Sequence, residues 1–262
     1  MRLVESVRAY TFWRDVSQDS PSSSFLELHD ILASHFLFIV AARIQIVDPQ
    51  FHEFDTTKFP LYCVTSLKNL GKSSKTLTYN IFQYETDRHF VSCDVTDVLV
   101  SMTERKPVSY PDDWLSKYGK DTTNFRRNEL LPDLDPGKTE TNKSLVRVTY
   151  SDTDTYQHAN WSSYLKYCYN SLYEHLFLGK GYTYVTQEEV LSGYRDVEML
   201  FRNEANIGDI IFVQSWSEKA ASGKSLDPGS VLFRLVNEAG NSCFEAKMTF
   251  YPVSSKMWFA HY

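Results

Sequence analysis

From Trp161 onward the apolar positions Trp161, Tyr164, Leu165, Cys168, Leu172 and Leu176 recur at helical spacing. They define one face of a helix of about five turns over residues 158–178, stopped by Gly179 and Gly181. A strand reads immediately before it at 145–150. Four more follow at 196–202, 210–216, 230–236 and 242–251, with tight turns at Gly208-Asp209 and Gly240-Asn241. A single half-apolar helix among strands buries its face by lying across a sheet, which makes the class α+β.

The first half repeats this order. Residues 7–13 read as a strand and 15–24 as a polar loop. Ser24 and Glu27 form a capping-box pattern that opens a helix over 24–42 with the apolar face Phe25, Leu28, Leu32, Phe36 and Ile39. Strands follow at 59–67, 76–83 and 89–100. Setting residues 13–21 against 150–158 places Asp15 on Asp152, and a small slip beyond the helix sets 75–81 against 209–215. A charged stretch rich in Pro, Gly, Asn and Thr, 116–143, separates the repeats as a linker. The expected domains are therefore 1–115 and 144–262.

Composition narrows the functional classes. The 27 Lys and Arg against 33 Asp and Glu give a net charge of −6, which argues against a general nucleic-acid binder. The Tyr- and Phe-rich segments then read as core and channel lining rather than base-stacking platforms. No apolar run approaches the ~20 residues a membrane helix needs, and the first residues lack the apolar core of a signal peptide. Cys63, Cys93, Cys168 and Cys243 are widely spaced without a CxxC pair, as expected of reduced thiols in a cytoplasmic protein. His29, His35, His52, His89, His175 and His261 read as packing or surface residues. No cofactor is expected, and no second cluster of His or Cys accompanies Asp152, Asp154 and His158 to complete a metal site.

The densest group of reactive side chains is the run 150–164, YSDTDTYQHANWSSY, between a strand and the start of the long helix. Amides at a helix start favour negative charge, so this place suits an oxyanion or a carboxylate. An Asp in such a turn is equally suited to capping, and His158 to a first-turn surface position. Arg195, Arg202, Lys219 and Lys224 lie further on, scattered as on a solvated face.

The pattern D-x-D-x-x-Q-H-x-N-x-x-x-Y, ending on a long amphipathic helix, resembles the signature of hot-dog-fold thioesterases, the acyl-acyl-carrier-protein and hydroxybenzoyl-CoA thioesterase-like groups above all. Downstream, the run 201–209, FRNEANIGD, resembles the strand end and Gly-Asp turn of that superfamily. The resemblance implies a double hot dog: two antiparallel sheets, each wrapped around a long helix, joined edge to edge. It implies acyl-CoA or acyl carrier protein thioesters as substrates, and allows a homodimer of double hot dogs. Carried over position by position, Asp154, His158 and Glu204 match the catalytic residues, and Asn160, Tyr156 and Tyr164 fall at substrate-contacting positions. Two departures stand out. Tyr156 replaces an orienting asparagine, and Ala205 replaces a cysteine, which excludes a cysteine nucleophile there.

The implied reaction is hydrolysis of an acyl thioester, with helix-start amides stabilising the oxyanion. Glu204 or Asp154 serves as base or nucleophile, and efficient proton transfer calls for burial to tune that carboxylate upward. In the first half Ser17, Pro21 and Leu70 stand where Asp154, His158 and Glu204 do, so that repeat reads as non-catalytic. Two alternatives remain: a non-catalytic acyl-thioester-binding or scaffold protein, and a hot-dog dehydratase or hydratase. The latter would need an acid and a histidine from opposite repeats.

Overall fold

A computed structural model of the chain describes residues 25–53, 56–119, 141–154, 157–179, 181–219 and 229–253. The expected strand at 7–13, the loop at 15–24, Ser24, Tyr156 and most of the linker lie outside the described residues. The described residues group into two compact units. One holds the chain up to Ala42 together with Phe59 to Gly119. The other holds Arg43–Lys58 together with residue 141 onward, so residues 43–58 group with the second half.

In the first unit, β2 (Leu61–Leu70), β3 (Ser74–Gln83) and β4 (His89–Ser101) form an antiparallel meander with Thr65 opposite Tyr79 and Tyr79 opposite Cys93. β4 is rich in Val, whose branched side chain suits a pleated surface. Leu77, Tyr79, Ile81, Cys93, Val95 and Leu99 are buried on one face. α2 (Asp112–Tyr118) presses Trp114 onto Tyr110, ring centroids 4.5 Å apart, and the indole N–H donates to Leu26 C=O at 2.7 Å.

The helix expected over 24–42 does not form. After a 3-10 turn at Phe25–Glu27, α1 (His29–Leu32) is a single turn, and His35–Ile46 is the strand β1. Leu28 and Leu32 are buried as the helical face required, but beyond them the chain is a run of aromatic and β-branched residues. Ala42, Ile44 and Ile46 are buried while Arg43 and Gln45 are exposed, an alternation only a strand provides. Glu27 pairs with Lys117 at 2.6 Å.

The second unit contains the long helix. β5 (Asn142–Arg147) leads to α3 (Trp161–Phe177), then α4 (Gln187–Leu191), β6 (Tyr194–Phe201), β7 (Ile210–Glu218), β8 (Ser230–Asn237) and β9 (Ser242–Phe250). α3 buries Trp161, Tyr164, Leu165, Cys168 and Leu172, as the spacing predicts, and packs against β5 and β7. Gly179 at φ 87° and Gly181 at φ 59° carry the chain out of the helix. Pairs β6–β9, β9–β8, β8–β7 and β7–β5 are all antiparallel.

The division between units falls inside β1, between Ala42 and Arg43. The hydrogen-bonded order is therefore a single one, β2-β3-β4-β1-β6-β9-β8-β7-β5, in place of the two sheets expected. The order 2-3-4-1 in the first unit matches 7-8-9-6 in the second. The fold is a large antiparallel sheet with few helices, and no described helix is long and apolar enough to cross a membrane.

Segment 43–58 is fastened within the second unit by Arg43 to Asp196 at 2.7 Å and by Tyr251 Oη donating to Ile46 C=O at 2.8 Å. His52 lies over Gly193, whose φ is 92°; a Cβ there would come within 2.6 Å of the imidazole. Its Nε2–H donates to Tyr194 C=O at 2.9 Å. Burial pulls the His52 pKa below its ordinary 6.5, against the opposing effect of that hydrogen bond. The unfolded chain therefore takes up the proton first on acidification. This contribution is complete above the unfolded pKa of about 6.5 and is lost as pH falls from there through the folded value. Urea midpoints measured from pH 7.5 to 5 should decline less steeply for His52→Gln than for the unmodified chain.

Candidate active site

The site is assembled where the start of α3 meets the loop after β6. Residues 157–159 run alongside 205–207 as a short two-stranded contact. Ala159 N–H donates to Ala205 C=O at 2.7 Å, Ile207 N–H donates to Gln157 C=O at 3.2 Å, and His158 bridges to Asn206. The loop closes on itself through Asn206 N–H to Asp209 Oδ2 at 2.8 Å, and joins the end of β5 through Gly208 N–H to Val148 C=O at 2.9 Å.

This pairing sets two of the expected residues against each other. His158 Nδ1 lies 3.3 Å from Glu204 Oε1, with the side chains 22% and 30% exposed, open enough to meet a substrate. Asp154 is next to them in the turn: its Oδ1 accepts the His158 backbone N–H at 3.4 Å, and its own N–H donates to His158 C=O at 2.9 Å. Asp154 thus meets the backbone of His158, whose ring in turn faces Glu204. Among the described residues no group of three or more His, Cys, Asp or Glu could hold a metal.

Asp152 is spent on architecture. It is 3% exposed, and its Oδ2 accepts the Thr149 N–H at 2.9 Å and the Thr149 hydroxyl at 2.7 Å. Lys166 binds Oδ1. Burial alone would raise this carboxyl, but Lys166 and the Thr149 donors outweigh it and bring it down to about 2. Its carbonyl takes the Asn160 N–H at 2.8 Å and the Ser163 hydroxyl at 2.9 Å, which locks the turn to the helix.

Asn160 is the N-cap of α3. Its Oδ1 accepts the Ser162 N–H at 3.0 Å. Tyr164, expected to touch substrate, has its hydroxyl on the backbone, accepting the Ala205 N–H at 3.0 Å and lying 3.5 Å from Asn203 C=O.

The expected oxyanion donors need correction. The amides of His158, Ala159, Asn160, Ser162 and Ser163 all have partners, because the tight turn and the N-cap consume them. Two donors at the site have no partner among the described residues: the Glu204 N–H and the Asn160 Nδ2 amide.

One charged group escaped the sequence reading. Glu245 on β9, 4% exposed, takes Arg202 at 2.8 Å and Arg234 at 3.5 Å. Arg202 is exposed yet ion-paired, and the signal for this cluster, the β8–β9 register that puts Arg234 opposite Glu245, exists only in the folded sheet.

No protein-family model matches the sequence, and no curated protein matches it at a significant level. Comparison of structures does find relatives in fold. A protein assigned as an oleoyl thioesterase from Lactobacillus plantarum superposes with a TM-score of 0.66 at 12% identity, over 97% of this chain and 88% of that one. The 12:0-ACP thioesterase from Umbellularia californica gives 0.59 at 12% identity, over 86% and 76% of the two chains. An acyl-ACP thioesterase from Bacteroides thetaiotaomicron gives 0.52 at 12% identity, over 84% and 79%. At such identity the likeness concerns the fold alone.

Proposed function

We propose that this hot-dog chain hydrolyses acyl thioesters, acyl-CoA or acyl-acyl-carrier-protein, to free acid and thiol. The observation that carries the reading is the partly open His158–Glu204 pair at 3.3 Å, placed at the start of α3. The Glu204 carboxylate accepts the Nδ1–H of His158, which orients the imidazole and leaves the Nε2 lone pair as acceptor. As water attacks the thioester carbon, the pair takes its proton. The carbonyl oxygen gains negative charge beside the Glu204 N–H and the Asn160 amide. The C–S bond then breaks, and the proton passes to the departing sulfur. A thiol has a pKa near 8.5, so thiolate leaves readily and one base suffices without a dedicated strong acid.

Ala205 fits a water route better than a covalent one, since the position offers no nucleophile. The match of strand order between the units supports two hot-dog repeats with the chemistry in the second. All four cysteines are free, and three are buried, which fits a reducing compartment such as the cytoplasm.

The test is release of free thiol by the purified protein from acyl-CoA and acyl-carrier-protein thioesters of graded chain length. Hydrolysis of at least one is expected. Tight binding of a non-hydrolysable acyl thioester analogue with no thiol release would select the non-catalytic binding protein.

A further inference from the structure

Glu204 sits in a loop, and a loop carboxylate aims poorly unless its backbone is fixed. On one side the fixing is plain. Arg202 and Asn203 N–H groups share Cys243 C=O at 2.8 and 3.2 Å, Asn203 Nδ2 donates to Ser242 C=O at 2.7 Å, and Arg202 is ion-paired to Glu245. These contacts end at residue 203. On the other side stands Tyr164, 3% exposed, in the first turn of α3. Its ring is stacked on Phe244 with centroids 5.1 Å apart and an interplanar angle of 16°, and lies edge-on to Phe201 at 6.0 Å. The hydroxyl so placed meets both peptide groups that flank Glu204. It accepts the N–H of Ala205 and is directed at the C=O of Asn203. One buried group thereby brackets the two dihedral angles of Glu204.

We propose that Tyr164 is a positioning residue that holds the Glu204 carboxylate against His158, rather than a substrate contact. This deepens the proposed function and rests on it for its kinetic part. Burial raises the Tyr164 pKa, so the phenol keeps its proton over the whole working range. Ala205 is 0% exposed, so its N–H has no water to turn to when the hydroxyl is removed. The loop must then shift, and Glu204 moves off the imidazole.

Tyr164→Phe keeps the stacked ring and deletes the bracket. We expect kcat for thiol release to fall about tenfold to a hundredfold, the effect of a misplacement near 1 Å, with KM changed less than about twofold. The decisive readout does not need activity: NMR of the His158 ring nitrogens at one fixed pH, which reports the tautomer and the partner of Nδ1. In Tyr164→Phe the Nδ1 signal should move toward that of Glu204→Gln, because both lose the carboxylate 3.3 Å from Nδ1. Tyr169→Phe is the control on the same helix. Its hydroxyl is buried without a hydrogen-bond partner among the described residues, so neither kcat nor the His158 Nδ1 signal should change.

A purely structural Tyr164 would lower the melting temperature and leave the His158 Nδ1 signal as in the unmodified protein, which would overturn the proposal. Equal shifts in Tyr164→Phe and Tyr169→Phe would overturn it too, as a general loosening of α3. If the unmodified protein releases no thiol, the hydrolase reading fails, while the His158 Nδ1 signal still decides the positioning claim.

Discussion

Glu204→Gln is expected to lower kcat by about 10²–10⁴, the usual worth of a positioned general base, with KM little changed. The amide keeps the shape and can still accept from His158 Nδ1, 3.3 Å away, but it carries no charge to favour protonation of the imidazole. His158→Gln should fall in the same range. The double variant should lose little more than either single one, because residues acting as a unit are not additive. Affinity for a non-hydrolysable acyl analogue should hardly move, since apolar burial of the chain supplies it. Asp154→Asn separates the two carboxylates. Asparagine can still accept the His158 backbone N–H, so a mild loss leaves the His158–Glu204 pair as the base, whereas a loss as large as that of Glu204→Gln brings Asp154 into that role. Leu70→Ala, at the first-half counterpart, should leave the chemical step alone. Undiminished hydrolysis in both Glu204→Gln and Asp154→Asn would remove the site.

The sequence reveals those elements whose burial is local. α3, expected over 158–178, spans Trp161–Phe177, and the strands β2 to β4 and β6 to β9 lie within a few residues of where alternation and turn chemistry put them. The error falls where two periods compete. Phe25, Leu28, Leu32, Phe36 and Ile39 fit a helix, but the same stretch from His35 is β-branched and aromatic, and sheet pairing decides in favour of β1. A single continuous sheet was not legible for a related reason, because pairing partners distant in sequence leave no mark on local periodicity.

At the site, the motif run brings His158 near Glu204 because both ends of the contact lie in tight, recognisable turns. The roles of Asp152, Tyr164 and Arg202 were hidden. Each depends on a partner, Lys166, Ala205 or Glu245, whose approach is set by helix packing or strand register. Residue type alone marks Asp152 and Asp154 as equals; only burial distinguishes them, 3% exposed for one and an exposed position for the other.

The largest stability effect is expected far from this chemistry, at Lys75 and Asp97. They face each other across β3 and β4, ion-paired, with side chains 0% and 1% exposed. Leu77, Val95 and Leu99 are buried on the same face, and Tyr110 lies near enough that burial and the Asp97 charge both raise its pKa. Removing two charges from water costs several kcal/mol each, and their attraction repays this only while both are present. Asp97→Asn should therefore destabilise the chain by about 3–5 kcal/mol, since it takes the carboxylate away from a buried ammonium. Lys75→Met alone should do comparable harm by taking the ammonium away from the buried carboxylate. The double replacement Lys75→Met with Asp97→Leu removes both costs at similar volume, and should leave stability unchanged or raise it by about 1–4 kcal/mol. Urea unfolding measures all three. With slopes of about 1–3 kcal/mol/M, each single replacement should lower the midpoint by roughly 1 M or more, and the double should restore it. A double variant as unstable as the singles would mean that the pair contributes net stability through its geometry, and that apolar side chains cannot fill its place.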